Sequence, residues 1–321
     1  MAISAAAVAP VVLGTWPTPL ERAPRLAVSL GLATEDLWIK RDDLTGLGGG
    51  GNKVRKLQYI CADALRVGAT TLVTSGAAQS NHARLTAAAA ARLGLRCILI
   101  LDGDPPPATQ GNLVLDHLAA ATVRWAGVEV PQELRDRVEV AAREVRNRGG
   151  VPYVVPFGGS SALAAHGYVD GAVELEAQLS GVDHVVVAVG SGGTMAGLVA
   201  HLGQQRVWGI DTGAVADAAG VVRDLVAGMS ATAIDLTRLQ VQSGQIGEGY
   251  ATLTPDAARA MALAAQTDGL FLDPTYTARA LAGLTELVAE GHIRVGQRTV
   301  FIHTGGLPGL FGHPQLTDLL S

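Results

Sequence analysis

The 321 residues allow one large or two ordinary domains with a substantial core, and 48% hydrophobic but only 4% aromatic residues make that core one of alanine, valine and leucine. A net charge of −5, with no basic stripe and no interleaving of aromatic and basic residues, argues against nucleic acid as a partner. Two cysteines, Cys61 and Cys97, lie in apolar surroundings that predict buried thiols; they cannot build a disulfide framework or a zinc site, and they suit a reducing cytosol.

In chain order, Ala2 to Leu13 is apolar but has no basic leader and is too short to span a bilayer, so it reads as an extended arm and no membrane segment is expected. Asp36 to Lys40 reads as a short strand running into a glycine-rich stretch. Gly48 to Gly51 permit positive φ and leave the backbone uncovered. Asn52 then has the character of an N-cap, and Val54, Leu57, Cys61 and Ala64 recur at helical spacing, which places Lys53 in the first turn of a helix over 53–67. The positive end of a helix dipole disfavours an ammonium by roughly a few tenths of a kcal/mol, which favours a neutral, nucleophilic amine. Only Lys40, Lys53 and Lys56 are lysine among 24 basic residues, and arginine cannot form a Schiff base, so Lys53 is the candidate reactive group. The competing reading is a flexible loop and a solvated lysine.

From Leu57 strands and helices alternate: strand 70–74, helix 80–93, strand 96–101, a helix from Asn112, strand 121–125, helix 132–147 and strand 151–155. The second half repeats the scheme with strand 184–189, helix 195–203, strand 206–210, helices 215–227 and 255–267, strand 269–272, helix 275–289 and strand 298–302. Strands separated by helices of this length are parallel with right-handed crossovers. The expected fold class is therefore α/β, two doubly wound parallel-sheet domains with a cleft between them.

Polar groups gather in the loops at strand ends. Ser80, Asn81 and His82 stand at a strand-to-helix turn where side chains and free amides can face a carboxylate, although one of the three suffices as an ordinary cap. Ser191, Gly192, Gly193 and Thr194 form a turn suited to a phosphate. That turn lacks the lysine of a P-loop, and Met195 occupies the third glycine position of the dinucleotide pattern. Asp211, about 20 residues on, nevertheless keeps a nicotinamide-dependent oxidoreductase as a rival reading. Thr304 follows the last strand, and Tyr276 and Thr277 begin the preceding helix. The other histidines show no metal-ligand spacing, so no metal is expected, and no nucleophile elbow of a serine hydrolase occurs.

The segments KRDDLTGLGGGGNKVRKLQY, GAAQSNHARLTAAAA, PFGGSSALAAHGY, VGSGGTMAG, GEGY, LDPTYTARALAGL and FIHTGGLPGLFG, spread over residues 36–312, resemble the pyridoxal-phosphate enzymes of the tryptophan-synthase β type (fold type II). Within these the resemblance is to the aminocyclopropane-carboxylate deaminase and D-cysteine desulfhydrase family. It implies pyridoxal 5'-phosphate held covalently by Lys53 beside Asn52, with its phosphate on the loop from Ser191 through Gly192, Gly193 and Thr194 to Gly197. Asn81 would meet the phenolic oxygen, and Ser80, Asn81 and His82 the carboxylate of a small amino-acid substrate. Ser80 would also relay a proton, and Tyr276 and Thr277 would lie beside the substrate. Thr304 would face the pyridine nitrogen, and its neutral hydroxyl, leaving the ring unprotonated, favours prompt β-elimination.

The deaminase branch carries a glutamate after the site tyrosine and a leucine before the last glycine pair. Thr277 and Thr304 stand at those positions, so the resemblance favours α,β-elimination of a cysteine-like amino acid to pyruvate, ammonia and a sulfur leaving group. The alternatives on the same scaffold are an L-cysteate sulfo-lyase, an aminocyclopropane-carboxylate deaminase and a β-replacement synthase, and beyond them a binding module without activity. The expected division is a larger cofactor-binding domain of residues 1–53 and 161–321 and a smaller one of 54–160. A cytoplasmic homodimer is expected from the relatives.

Overall fold

The computed structural model describes residues 8–127, 131–229, 235, 238–315 and 317; residues 2–7 of the expected arm lie outside these. The rest of the arm has no regular structure, and it is held where Val11 N–H donates to Gln58 O at 3.2 Å and Leu13 N–H to Gln58 Oε1 at 3.1 Å.

The chain then runs β1 (Leu20–Arg22), α1 (Pro24–Ser29), β2 (Leu37–Lys40), α2 (Lys53–Arg66), β3 (Thr71–Gly76), α3 (Asn81–Arg92), β4 (Arg96–Leu101), α4 (Asn112–Leu118), β5 (Thr122–Trp125), α5 (Pro131–Asn147) and β6 (Pro152–Val154). It continues with α6 (Ala162–Gln178), β7 (His184–Val189), α7 (Gly193–Leu202), β8 (Val207–Asp211), α8 (Ala218–Met229), β9 (Gln240–Gln242), α9 (Pro255–Asp268), α10 (Thr277–Ala289), β10 (Thr299–Ile302) and α11 (Leu307–Leu310).

These strands form two sheets. The smaller has the order β5-β4-β3-β6 and is wholly parallel; the larger has the order β1-β2-β10-β7-β8-β9 and is parallel except for β1. Apolar runs such as Val185–Val189 are buried throughout, as strands covered on both faces by helices must be. One core packs α1, α9 and α10 on the larger sheet, another packs α6, α7 and α8 on its other face, and two more cover the faces of the smaller sheet. Among the described residues no helix is long and apolar enough to cross a membrane.

One expected strand is absent, and one helix was not expected. Residues 269–272 form no strand: Leu270 and Leu272 are buried and Phe271 is exposed, the alternation of a strand, but the segment connects α9 to α10, and His303 Nε2 lies 3.2 Å from Phe271 O. The 17-residue helix α6 carries no sequence-level assignment, because small and apolar residues surround it with no single stripe. It is buried between α2 and α7, and Gly167 allows the close approach, since a Cβ there would lie 2.2 Å from Arg55 O.

Candidate active site

The carboxyl ends of β3, β4, β6, β7, β8 and β10, together with the start of α2, open onto one cleft of about 1040 Å³ between the sheets. Loops at the carboxyl ends of parallel strands are where open α/β sheets bind ligands. Ser80, Asp102, Gly158, Ser191, Ala214 and Thr304 mark the six strand ends on its wall.

Lys53 is the first residue of α2 and lines this cleft. The glycines ahead of it are sterically required: Gly50 has φ +74°, and a Cβ there would sit 1.8 Å from Asp43 O. Asn52 does not cap the helix. Its side chain accepts no helix N–H; Nδ2 donates instead to Thr194 Oγ1 at 3.0 Å, and this ties the approach to Lys53 to the start of α7. Burial lowers the Lys53 amine to about 8, partly offset by its hydrogen bond with Lys56. The Lys56 amine lies deeper and donates to Gly158 O at 2.6 Å and to Ser160 Oγ at 2.9 Å; burial, then the charge of Lys53, pushes its pKa well down.

The turn after β7 forms a cup. Gly192 adopts φ +79° and α7 starts at Gly193, so the first amides of a ten-residue helix face the cleft without helical acceptors. Ser160 Oγ lies 2.8 Å from Ser191 Oγ and accepts from Gly193 N at 3.2 Å. A Cβ on Gly193 would come within 2.6 Å of Ser160 Oγ. Hydroxyls, a neighbouring amine and the start of a helix suit an anionic head group such as a phosphate. Gly197 is not part of this wall: a Cβ there would lie 2.3 Å from Ala165 O, so this glycine serves the packing of α7 on α6.

Opposite, Ser80 caps α3, its Oγ accepting from Ala83 N at 3.1 Å, and the hydroxyl hydrogen is left to donate. Asn81 lines the cleft beside it. The His82 ring is committed elsewhere: it is 3% exposed, Nε2 lies 2.9 Å from Thr74 Oγ1, and burial followed by the charges of Lys53 and Lys56 keeps the imidazole neutral. Ser80, Asn81 and His82 all line the cleft, but with its ring engaged by Thr74 the His82 side chain leaves the Ser80 hydroxyl and the Asn81 amide as the side-chain donors on this wall. Tyr276 backs Gly190, and its hydroxyl is hydrogen-bonded to that of Tyr250; burial, then Tyr250, raises its pKa well above the usual value, so the phenol stays protonated. Thr277 is fully buried, donates to Asp273 Oδ1 at 2.7 Å and does not line the cleft. Thr304 does line it, and its carbonyl accepts from Asn52 N at 3.0 Å. Asp211 is likewise absent from the wall; Oδ1 accepts from Gly213 N at 2.9 Å and closes the turn after β8.

Lys56, Ser160, Tyr250, Asp102 and the loop 213–216 belong to the site without having been singled out by residue type or spacing. Ser160 and Tyr250 lie in PFGGSSALAAHGY and GEGY, where the segments were visible but no local pattern assigned them a task.

Comparison with known proteins accounts for this arrangement. The family model described as "Pyridoxal-phosphate dependent enzyme" matches residues 11–305. The D-cysteine desulfhydrase of Klebsiella pneumoniae is 41% identical over 94% of this chain and 95% of its own. A Pyrococcus abyssi protein provisionally named 1-aminocyclopropane-1-carboxylate deaminase is 38% identical over 97% of this chain and 96% of its own. Among solved structures, an ACC deaminase homologue superposes with a TM-score of 0.87 at 36% identity, covering 98% of this chain and 96% of that one. Threonine deaminase isoform 2 from Solanum lycopersicum shares the fold, with a TM-score of 0.66 at 16% identity over 94% of this chain and 82% of its own. The buried amine of Lys53, the anion cup at the start of α7 and the match over nearly the whole chain lead to one conclusion: the protein belongs to the pyridoxal-phosphate-dependent enzymes of fold type II.

Proposed function

We propose that this enzyme catalyses α,β-elimination from D-cysteine or a closely similar β-substituted amino acid, giving pyruvate, ammonia and a sulfur leaving group. The observation that carries this reading is the Lys53 amine, buried, lowered to about 8 and facing Ser80 and Asn81 across a cleft that also holds an anion cup. The 41% identity to a D-cysteine desulfhydrase supports the choice of substrate class. Bound in the cleft, pyridoxal phosphate supplies the electron sink that makes the α-proton of an amino acid labile.

The chain supplies the rest. The start of α7 with Ser191 and Ser160 would hold the phosphate and Lys53 would hold the cofactor covalently, with Asn52 fixing the approach to it. Ser80 donates its free hydroxyl hydrogen to the substrate carboxylate, and Asn81 faces an oxygen of the bound cofactor. Lys53 Nζ, with its amine free, would accept the α-proton; a group near 8 is roughly one-tenth neutral at pH 7, against less than about a thousandth for a solvated lysine. Tyr276, kept protonated by burial and paired with Tyr250, lies against the substrate side chain and donates its proton toward the departing sulfur. Water then converts the released enamine to pyruvate and ammonia. The smaller unit, residues 54–160, closes over the substrate, and the enzyme works in the cytoplasm as a homodimer.

Two measurements test the reading. Borohydride reduction of the purified enzyme should fix the cofactor mass on the peptide carrying Lys53, and Lys53→Ala should lose that label and lower turnover roughly 10²- to 10⁴-fold. Pyruvate release should be fastest from D-cysteine in a panel with L-cysteine, L-cysteate, β-chloroalanine and the cyclopropane acid. 2-Oxobutanoate from the cyclopropane acid as the best reaction would overturn the substrate assignment, while sulfite from cysteate would change only the leaving group.

A further inference from the structure

Arg84 is 1% exposed at the core of α3, and every oxygen it touches is neutral. Nη1 donates to Gly48 O at 2.5 Å and Gly50 O at 2.9 Å, Nε to Asn112 Oδ1 at 3.1 Å, and Nη2 to Asn81 Oδ1 at 3.4 Å. A guanidinium has five donors and no acceptor, so the polarity of everything bonded to it is fixed. Asn112 must present Oδ1 to Arg84, and its Nδ2 is thereby turned to donate to Gln79 O at 2.8 Å and Asn81 Oδ1 at 3.0 Å. Two donors converge on Asn81 Oδ1. The Asn81 amide can satisfy both only with its oxygen inward, and its NH₂ group then faces the cleft, where among the described residues it has no protein acceptor.

We propose that Arg84 and Asn112 are positioning residues that lock the Asn81 side chain with its NH₂ group toward the bound cofactor, and that the same guanidinium fixes the glycine stretch leading to Lys53. This rests on the reading of the cleft as the cofactor site with Asn81 on its wall. The consequence is directional: the wall offers a hydrogen-bond donor to a negatively charged ligand oxygen and cannot flip to offer an acceptor. An amide free to rotate would offer both. The arginine enforces this from one layer behind the ligand, since neither Arg84 nor Asn112 lines the cleft.

The test is a double-mutant cycle on the holoenzyme, read as the pH midpoint of the bound cofactor's visible absorbance and as the cofactor dissociation constant. Asn112→Leu removes the shorter of the two donors to Asn81 Oδ1 without adding charge and leaves only the 3.4 Å contact of Arg84, and Asn112→Ser keeps a small polar group should the leucine variant fold poorly. Each should raise the midpoint by about one unit, since the donor that stabilises the ligand's anionic form is lost, and weaken cofactor binding about tenfold. In an Asn81→Ala background the midpoint shift should vanish, because Asn112 reaches the ligand oxygen only through that amide, while any loss of cofactor binding that remains reports its hold on Arg84 and the glycine stretch. Shifts of equal size in both backgrounds, or no shift in either, would overturn the proposal. If the cycle behaves as expected but no pyruvate forms from D-cysteine, the substrate assignment falls and the positioning role stands.

Discussion

Asp116, on α4, is 1% exposed, and neither carboxylate oxygen has a hydrogen-bond partner among the described residues. Burial raises its pKa to about 7, against an opposing pull from the Arg84 charge. Because the folded-state value lies above the unfolded one, the folded chain holds this proton more tightly. The stability so contributed is complete below about pH 4 and is lost as the pH rises through about 7. Asp116→Asn should therefore raise Tm clearly at pH 8, where up to about 4 kcal/mol is at stake, and leave it nearly unchanged at pH 4. Thermal melts at the two pH values decide it; an equal shift at both would mean that the charge is not responsible. Lys53 was legible from sequence because lysine is scarce here and its neighbours are glycines. Asp116 was not: in NLVLDHL it has the look of an ordinary surface acid, and only the packing of α4 beside Arg84 removes it from water.

At the scale of elements, the parallel strands and most helices could be read because buried strands form continuous apolar runs and the long helices between them are amphipathic. The two failures share a cause. Helix α6 and the 269–272 connector are defined by what packs around them, and their own periodicity is absent in one and misleading in the other. Gly197 shows the same limit at one position, because a glycine in the first turns after a cup serves ligand approach and helix contact equally well in sequence. The structure gives it to the contact. Gly197→Ala would force Cβ into Ala165 O, 2.3 Å away, with no flexible atom to yield. Separating α7 from α6 should cost about 1–3 kcal/mol and tilt the amides at Gly193. The expected result is a lower Tm in the cofactor-free enzyme together with weaker cofactor binding in a fluorescence titration. Weaker binding with Tm unchanged would instead return Gly197 to the cofactor wall.

Across the whole molecule, the first turn of α2 is anchored to the larger sheet by a buried ionic cluster two residues beyond Lys53. Arg55 donates through Nε and Nη2 to Asp42 at 2.9 and 2.8 Å and through Nη1 and Nη2 to Glu174 at 3.1 and 2.9 Å, while its guanidinium lies 4.2 Å from the ring centre of Trp16. Tyr168 donates to Asp42 at 2.5 Å, and Lys40 at the end of β2 pairs with Glu174. Two cations thus face two carboxylates, and each carboxylate is bonded to Arg55. Burial alone would raise the pKa of Glu174, but the hydrogen bonds and charges of Arg55 and Lys40 outweigh it and hold the carboxyl below its usual value. Its contribution to stability is present above about pH 4.5 and is lost as the pH falls through the lower folded-state value. Glu174→Gln leaves two buried cations with one carboxylate, a loss of about 3–5 kcal/mol if nothing relaxes. The effect should be a large fall in Tm at pH 7 that persists down to about pH 4.5 and narrows only as the pH falls through the lowered folded-state value, where the parent enzyme loses the same charge. Because the cluster holds the helix that carries Lys53, the variant should also lose cofactor before it unfolds, seen as bleaching of the visible band at a temperature below the far-ultraviolet transition. Coincident transitions would show that the anchor supports the fold as a whole and has no separate hold on the lysine.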